Sequence, residues 1–334
     1  MEKAEMKNPL SNIKVTPLAA ESFGVRSMCT LVETPELTVL LDGGISLAPY
    51  RFSLPPHPIE FRTIARLRKT IAEAADKADV TTISHYHFDH HTPSFEDWVV
   101  NWTEDGETAR QIYRNKTVFI KNPKQKINAS QRQRAWMFQK TAGKQAKKVE
   151  AADGKTFTYG KTVLRFSEAV AHGSEDSMLG WVIMAFVEHS DERFIFAPDV
   201  QGPMSANTLE LILEAKPTMI MLGGPPLYLG GFRVEMTQLD QGLKNLECIV
   251  ETVPLVILEH HALRDESWRP KMASVFEKAS QSGHCILTAA EFAGKENLFL
   301  ESARKYLYRD QPPSDEFKQW IKTLNSKKIA KPPL

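Results

Sequence analysis

Val80-Thr81-Thr82-Ile83-Ser84-His85-Tyr86-His87-Phe88-Asp89-His90 is the stretch on which the reading of this chain turns. Val80 to Ser84 has the β-branched, apolar character of a short buried strand and runs straight into His85. Loops that leave a strand end are where an α/β sheet places side chains beyond its edge. His85, His87, Asp89 and His90 fall within six residues. They converge only if the chain turns sharply, and a hydrophobic core has no use for so many imidazoles. Transition metals do: neutral imidazole suits zinc, iron and related ions, and a carboxylate adds charge.

On the N-terminal side, Ile13 to Ala19, Gly24 to Glu33 and Leu37 to Leu41 read as strands, the last ending in Asp42-Gly43-Gly44. Ile64, Leu67, Ile71 and Ala74 or Ala75 recur at helical spacing, predicting an amphipathic helix over 61–77. From about 92 to 156 the pattern changes to an insertion. There Ala135, Phe138, Ala142, Ala146 and Val149 form a helical stripe behind a cap at Asn128. Strand signals return at 162–166, 180–187, 194–197, 218–222 and 254–259, with helices over 205–214 and 237–251 between them. Ser314 caps a last helix with an apolar face of Phe317, Trp320, Ile321 and Leu324. The order predicts a single α/β domain over 1–325, two αβ halves pressed sheet to sheet, followed by a mobile tail over 326–334.

The bulk composition excludes several classes. With 42 Lys and Arg against 41 Asp and Glu, the 334-residue chain carries a net charge of +1, so no global field steers it to nucleic acid or a membrane. No apolar run is long enough to span a bilayer, and the first residues lack the core of a secretory signal. Cys29, Cys248 and Cys285 are odd in number and unpaired in spacing, which points to a reducing cytoplasm rather than a disulfide framework.

The string His85-Tyr86-His87-Phe88-Asp89-His90 resembles the HxHxDH signature of the metallo-β-lactamase superfamily. The superfamily's later landmarks can be followed in order: Ala171-His172-Gly173, then Phe194-Ile195-Phe196-Ala197-Pro198-Asp199, then Leu258-Glu259-His260-His261. Asp42-Gly43-Gly44 is similar to its usual early turn. The sequence looks most like a branch common in archaea, which brings no substrate with it. The resemblance implies a four-layer αβ/βα sandwich of two facing mixed sheets, with a helical basic insertion. It implies two divalent transition ions, zinc first, with iron, manganese or nickel as alternatives. His85, His87 and His172 would hold one, Asp89, His90 and His260 the other, and Asp199 would bridge them. It further implies a metal-bridging hydroxide as nucleophile, oriented by Asp89, with His261 donating a proton or binding an oxyanion. Either His260 or His261 can be the last ligand; His260 is preferred as nearer the strand end.

The expected function is therefore hydrolysis of an ester, thioester, lactone or amide-type bond. A phosphodiesterase acting on nucleic acid or nucleotides is the alternative, and a non-catalytic metal-binding or redox protein a weaker one. The alternative draws on Lys121, Lys124, Lys126, Arg132, Arg134, Lys140, Lys144, Lys147 and Lys148, nine cations over 121–148 with no acidic residue among them. That stretch suits a small anionic substrate or a nucleic acid partner, or is simply a solvated helix face. His57, His189 and His284 read as ordinary loop or turn residues, with His57 in a loop that could overhang the site. The segment 222–231 lacks a nucleotide-loop pattern, and Tyr228 within it is more readily a packed turn residue than a substrate contact. Oligomeric state is not legible.

Overall fold

A computed structural model describes residues 8–324 and 329–334. The first sheet contains β1 (Lys14–Pro17), β2 (Thr30–Glu33), β3 (Thr38–Leu41), β4 (Val80–Ile83), β5 (Thr117–Ile120) and β6 (Lys148–Ala151), side by side in that order. β1 to β3 pair antiparallel; β3 to β6 pair parallel. In the second half come β7 (Thr156–Tyr159), β8 (Thr162–Phe166), a two-stranded ribbon of β9 (Val170–Ala171) and β10 (Trp181–Val182), β11 (Ala185–His189), β12 (Glu192–Ala197), β13 (Met219–Gly223), β14 (Leu255–Glu259) and β15 (Cys285–Leu287). The second sheet runs β15-β14-β13-β12-β11-β8-β7, parallel from β15 to β12 and antiparallel beyond.

Strand alternation shows how the layers stack. Phe194, Phe196, Met219, Met221, Leu255 and Ile257 point into one core with Val39, Leu41, Ile83 and Phe119 of the first sheet. Their alternate neighbours Ile195, Ala197, Ile220, Leu222, Val256 and Leu258 point the other way, into a second core with Leu246, Ile249, Val250 and Val275. The far face of the first sheet is covered by α1 (Pro58–Lys77) through Phe61, Ile64, Leu67 and Ile71, with α2 (Glu107–Tyr113) beside it. α4 (Ala206–Ala215) and α5 (Met236–Thr252) lie on the second sheet, after α3 (Ala129–Lys140) of the intervening stretch. The result is helix, sheet, sheet, helix: the four-layer sandwich of the metallo-β-lactamase fold.

The insertion departs from its helical reading. Asn128 does cap α3, accepting from the Gln131 amide at 2.8 Å. The helix stops at Thr141, whose backbone leaves the helical region, and Val149 belongs to β6. β5 and β6 complete the first sheet, β5 pairing parallel with β4 and β6 with β5. Apolar spacing alone did not separate a helix, a 3-10 turn and a strand laid end to end. Part of the segment expected to be a mobile tail is anchored: Trp320 Nε1 donates to Ala330 O at 2.7 Å and Lys331 lies over the Trp98 ring. Residues 326–328 of that segment lie outside the described residues.

Candidate metal centre

Parallel strands of both sheets deliver the site residues at their C-terminal ends. β3 ends one residue before Asp42, β4 and β12 two residues before His85 and Asp199, and β14 just before His260. The HxHxDH loop is held by Tyr86, fully buried, which turns away from the cleft and donates to Lys121 O beyond β5 at 2.6 Å. The amides of His90 and His91 both close on His87 O at 3.0 Å, the sharp turn that convergence needs. Asp42, Asp199 and His260 all have left-handed backbones, with φ of 48°, 51° and 67°. Such conformations are costly for residues other than glycine, and clusters of them accompany functional sites.

The eight candidate residues come together around the Asp199 carboxylate. Asp199 Oδ2 is 3.1 Å from His85 Nε2, 3.2 Å from His90 Nε2, 3.0 Å from His172 Nε2 and 4.0 Å from His87 Nδ1. Asp199 Oδ1 is 3.0 Å from His260 Nε2 and 3.2 Å from His261 Nε2, while Asp89 Oδ2 is 3.5 Å from His260 Nε2. His85, His90, His172, Asp199 and His260 are buried; His87, Asp89 and His261 keep 25%, 16% and 13% of their side chains exposed, so these three face what enters the cleft.

The far side of each ring decides what its near side offers. His90 Nδ1 lies 2.9 Å from Asp42 Oδ2, and His260 Nδ1 lies 2.9 Å from Glu21 Oε2. A carboxylate only accepts, so both Nδ1 atoms carry a proton, and both Nε2 atoms would present a lone pair once a bound ion displaces the second proton. Ser84 Oγ donates to Asp42 and sits 3.1 Å from His85 Nδ1, which leaves His85 Nε2 bare as well. Three Nε2 atoms therefore converge on one carboxylate at 3.0–3.2 Å. His172 Nε2 and Asp199 Oδ1 are buried with no hydrogen-bond partner. That donor set fits divalent metal ions, which such lone pairs and carboxylate oxygens would share.

His261 differs. Arg264 Nη1 lies 3.1 Å from its Nδ1, and a guanidinium only donates. His261 Nδ1 must accept, and the neutral ring carries its proton on Nε2, toward Asp199. Geometry thus separates the two candidates at the strand end: a carboxylate stands 2.9 Å behind the ring of His260, a guanidinium nitrogen 3.1 Å behind that of His261.

Charge agrees with this division. Burial pushes His87 and His261 down to about 3, Arg264 adding to the effect on His261, so both stay neutral. Burial opposes protonation of His260 too, yet Asp199 and Glu21 lift it to about 9. His90 is raised against burial by Asp199 and Asp42. The carboxylates thus draw positive charge into the middle of the cluster.

Sequence reasoning missed Asp42 and Glu21 as supports; only the Asp-Gly-Gly turn hinted at the first. Gly44 is required on steric grounds. A Cβ there would stand 2.2 Å from His91 N and 2.4 Å from His90 C, so the turn can approach the metal loop only as glycine. Gly44→Ala should displace that loop and lower metal content of the folded protein severalfold by elemental analysis; wild-type content would show that the loop can give way.

Three further histidines are structural. His57 caps α1, bonds to Gln311 O at 2.8 Å and packs on Tyr308. His189 meets Thr162 and Glu36, and His284 meets Val250 O at 2.8 Å. Tyr228 lies beneath the Arg51 guanidinium. The three cysteines are free, and no helix among the described residues is long and apolar enough to cross a membrane.

Two facing mixed sheets with an HxHxDH loop and this cluster at their common edge match the fold and motif order expected from the resemblance to the metallo-β-lactamase superfamily. More narrowly, the chain belongs to the UPF0282 family. It is 42% identical over 304 residues to the UPF0282 protein of Methanopyrus kandleri, covering 91% of this chain and all of that one. It is 44% identical over 298 residues to that of Thermococcus gammatolerans (89% and 95%) and 38% over 309 to that of Korarchaeum cryptofilum (92% and 99%). No protein-family model matches the chain. Solved structures of similar outline include a metal-dependent hydrolase of the β-lactamase superfamily, at 11% identity and TM-score 0.44, covering 83% of this chain and 96% of that one. Another is the diiron β-hydroxylase CmlA of Streptomyces venezuelae, at 13% and 0.46, covering 85% and 53%.

Proposed function

We propose that this chain is a metal-dependent hydrolase that works through a pair of divalent transition ions, zinc first, and cleaves an ester, thioester, lactone or amide-type bond. The observation that carries the reading is the convergence of imidazole nitrogens from both sheets on the two oxygens of Asp199. His85, His87 and His172 would hold one ion, Asp89, His90 and His260 the other, with Asp199 shared. When bound, such a pair supplies a water activated near neutral pH and an electrophile for the scissile oxygen. Asp89, partly exposed, is placed to accept a hydrogen bond from that water. His261 holds an N–H over Asp199 and stands in the cleft wall, where it can give a proton to a leaving group or bind an oxyanion.

The test is elemental analysis of the protein as purified, with hydrolysis of a panel containing a neutral ester, a thioester, a lactone, bis-p-nitrophenyl phosphate and a short RNA. Metal-dependent turnover of a carbonyl substrate, lost on chelation and restored by added ion, is expected. A protein without metal affinity, or one inert toward the whole panel, would overturn the reading; turnover of RNA alone would give it to the phosphodiesterase alternative. The two adjacent histidines separate in the same assays. His260→Gln should lose metal, whereas His261→Gln should retain it and lose turnover by about 10²–10⁴-fold, the usual span of general acid–base assistance. Equal metal loss in both variants would refute the assignment of their ring protons.

A further inference from the structure

The cleft over the cluster encloses about 290 Å³, and three arginines line it: Arg26, Arg134 and Arg264. Two are already neutralised. Arg26 grips Glu301 through two contacts of 2.6 and 2.7 Å, and Arg264 grips Glu21 at 2.7 and 2.5 Å. Arg134, carried by α3, forms no ion pair among the described residues; Asp89 is the carboxylate whose field it feels. Its Nη1 reaches only the Tyr86 carbonyl, at a long 3.4 Å, and its guanidinium lies 4.8 Å from the Phe88 ring centre. The side chain is half-buried. Of the nine cations over 121–148 it alone lines this cleft; Lys121 is buried against Asp153 at 2.7 Å and Lys148 pairs with Glu150.

A second cavity, of about 90 Å³, adjoins the same two residues. Phe88 and Arg134 line both spaces, and beyond them the walls are Phe95, Met137 and Phe138, with His91 at the side. His91 Nδ1 is 3.1 Å from His87 O and so carries its proton there. An unpaired guanidinium thus stands at the joint between a metal-suited cluster and an apolar chamber. A guanidinium stays charged and presents its donors in a planar fork that matches a carboxylate or phosphoryl group.

We propose that Arg134 is the anion-recognising residue of this site: it binds a carboxylate or phosphoryl group of the substrate, whose apolar portion enters the chamber behind Phe88. The position of the bond to be cut rests on the hydrolase reading above; the binding of the anion does not.

The experiment is calorimetric titration of the zinc-loaded protein with phenylphosphonate, methylphosphonate and benzoate, none of which can be hydrolysed. Wild type, Arg134→Gln and Arg134→Lys are compared after confirming equal metal content and equal circular dichroism. An anion held by the ions alone is indifferent to residue 134. If Arg134 contributes charged hydrogen bonds, Arg134→Gln weakens binding by roughly ten- to a hundredfold and Arg134→Lys by less. The tighter of phenylphosphonate and benzoate identifies the group as phosphoryl or carboxylate. Phenylphosphonate should bind several times more tightly than methylphosphonate. Affinities in Arg134→Gln within about twofold of wild type, or no binding of either aromatic anion by wild type, would overturn the proposal; equal affinity for phenyl- and methylphosphonate would remove the chamber from it. Turnover does not enter, so an enzyme inert toward every ester would sink the hydrolase reading and leave this result standing.

Discussion

Asp199→Ala should take the protein from about two bound transition ions per chain to fewer than about one, and hydrolysis should disappear with them. The argument is geometric. One carboxylate oxygen lies 3.0–3.2 Å from His85, His90 and His172, and the other 3.0 Å from His260. Among the described residues no other acidic group reaches both halves of the cluster: Asp89 meets only the His260 side closely, at 3.5 Å, and Asp42 is turned to the back of His90. Stability should fall as well. In chelator-treated protein the carboxylate compensates the protons that it raises on His90 and His260, so removing it leaves buried positive charge with less compensation, and the melting midpoint should drop. Metal-loaded wild type, by contrast, should gain about 2.7 kcal/mol of stability when free metal exceeds its dissociation constant a hundredfold, a gain the variant forfeits. Calorimetric melting with and without metal, beside elemental analysis, reads both effects. Undiminished metal content would refute the shared role of Asp199 while leaving the fold untouched.

How much of this was legible follows from sequence separation. His85, His87, Asp89 and His90 are neighbours in the chain, and their chemistry survives without any knowledge of the fold. His172, Asp199 and His260 were reachable because each closes a strand or short ribbon in a familiar order; by themselves they are a histidine, an aspartate and a pair of histidines. The supports were out of reach. Asp42 meets His90 across 48 residues, Glu21 meets His260 across 239, and Glu21 meets Arg264 across 243. No local pattern announces a contact made only when two sheets close on each other. The same gap explains the two open questions left by the sequence. The choice between His260 and His261 depended on Glu21 and Arg264, one on either side. The stretch 121–148 could only be described as basic, because nothing in its spacing says that Arg134 faces the cleft while Lys121 is buried beside Asp153. Apolar periodicity likewise gave α1 and α5 nearly to the residue, since both cover a sheet along one face, but it merged α3 with β6.

Asp42→Asn should weaken metal binding about 10- to 100-fold although Asp42 would touch no metal. The carboxylate is fully buried and accepts on both oxygens. Oδ1 takes the Ser84 amide at 2.8 Å and the Thr82 hydroxyl at 3.3 Å; Oδ2 takes the Ser84 hydroxyl and His90 Nδ1 at 2.9 Å. An amide of the same shape keeps one accepting oxygen and replaces the other with a donor. If its nitrogen faces Ser84 N–H, two donors collide at the end of β4. If it faces His90, the ring must release its Nδ1 proton or rotate, and the lone pair on Nε2 is no longer aimed at the site. Ser84, freed from its carboxylate, also ceases to fix the tautomer of His85. Each buried donor left unsatisfied costs about 1–3 kcal/mol. The variant should therefore melt at a lower temperature even without metal. Competition with a chromogenic chelator gives the affinity, and melting of metal-free protein gives the stability. A variant that binds metal like wild type while melting earlier would confine Asp42 to holding β3 against β4. One that loses metal without losing stability would mean that His90 is aimed through Asp42 and that the strands need it for nothing else.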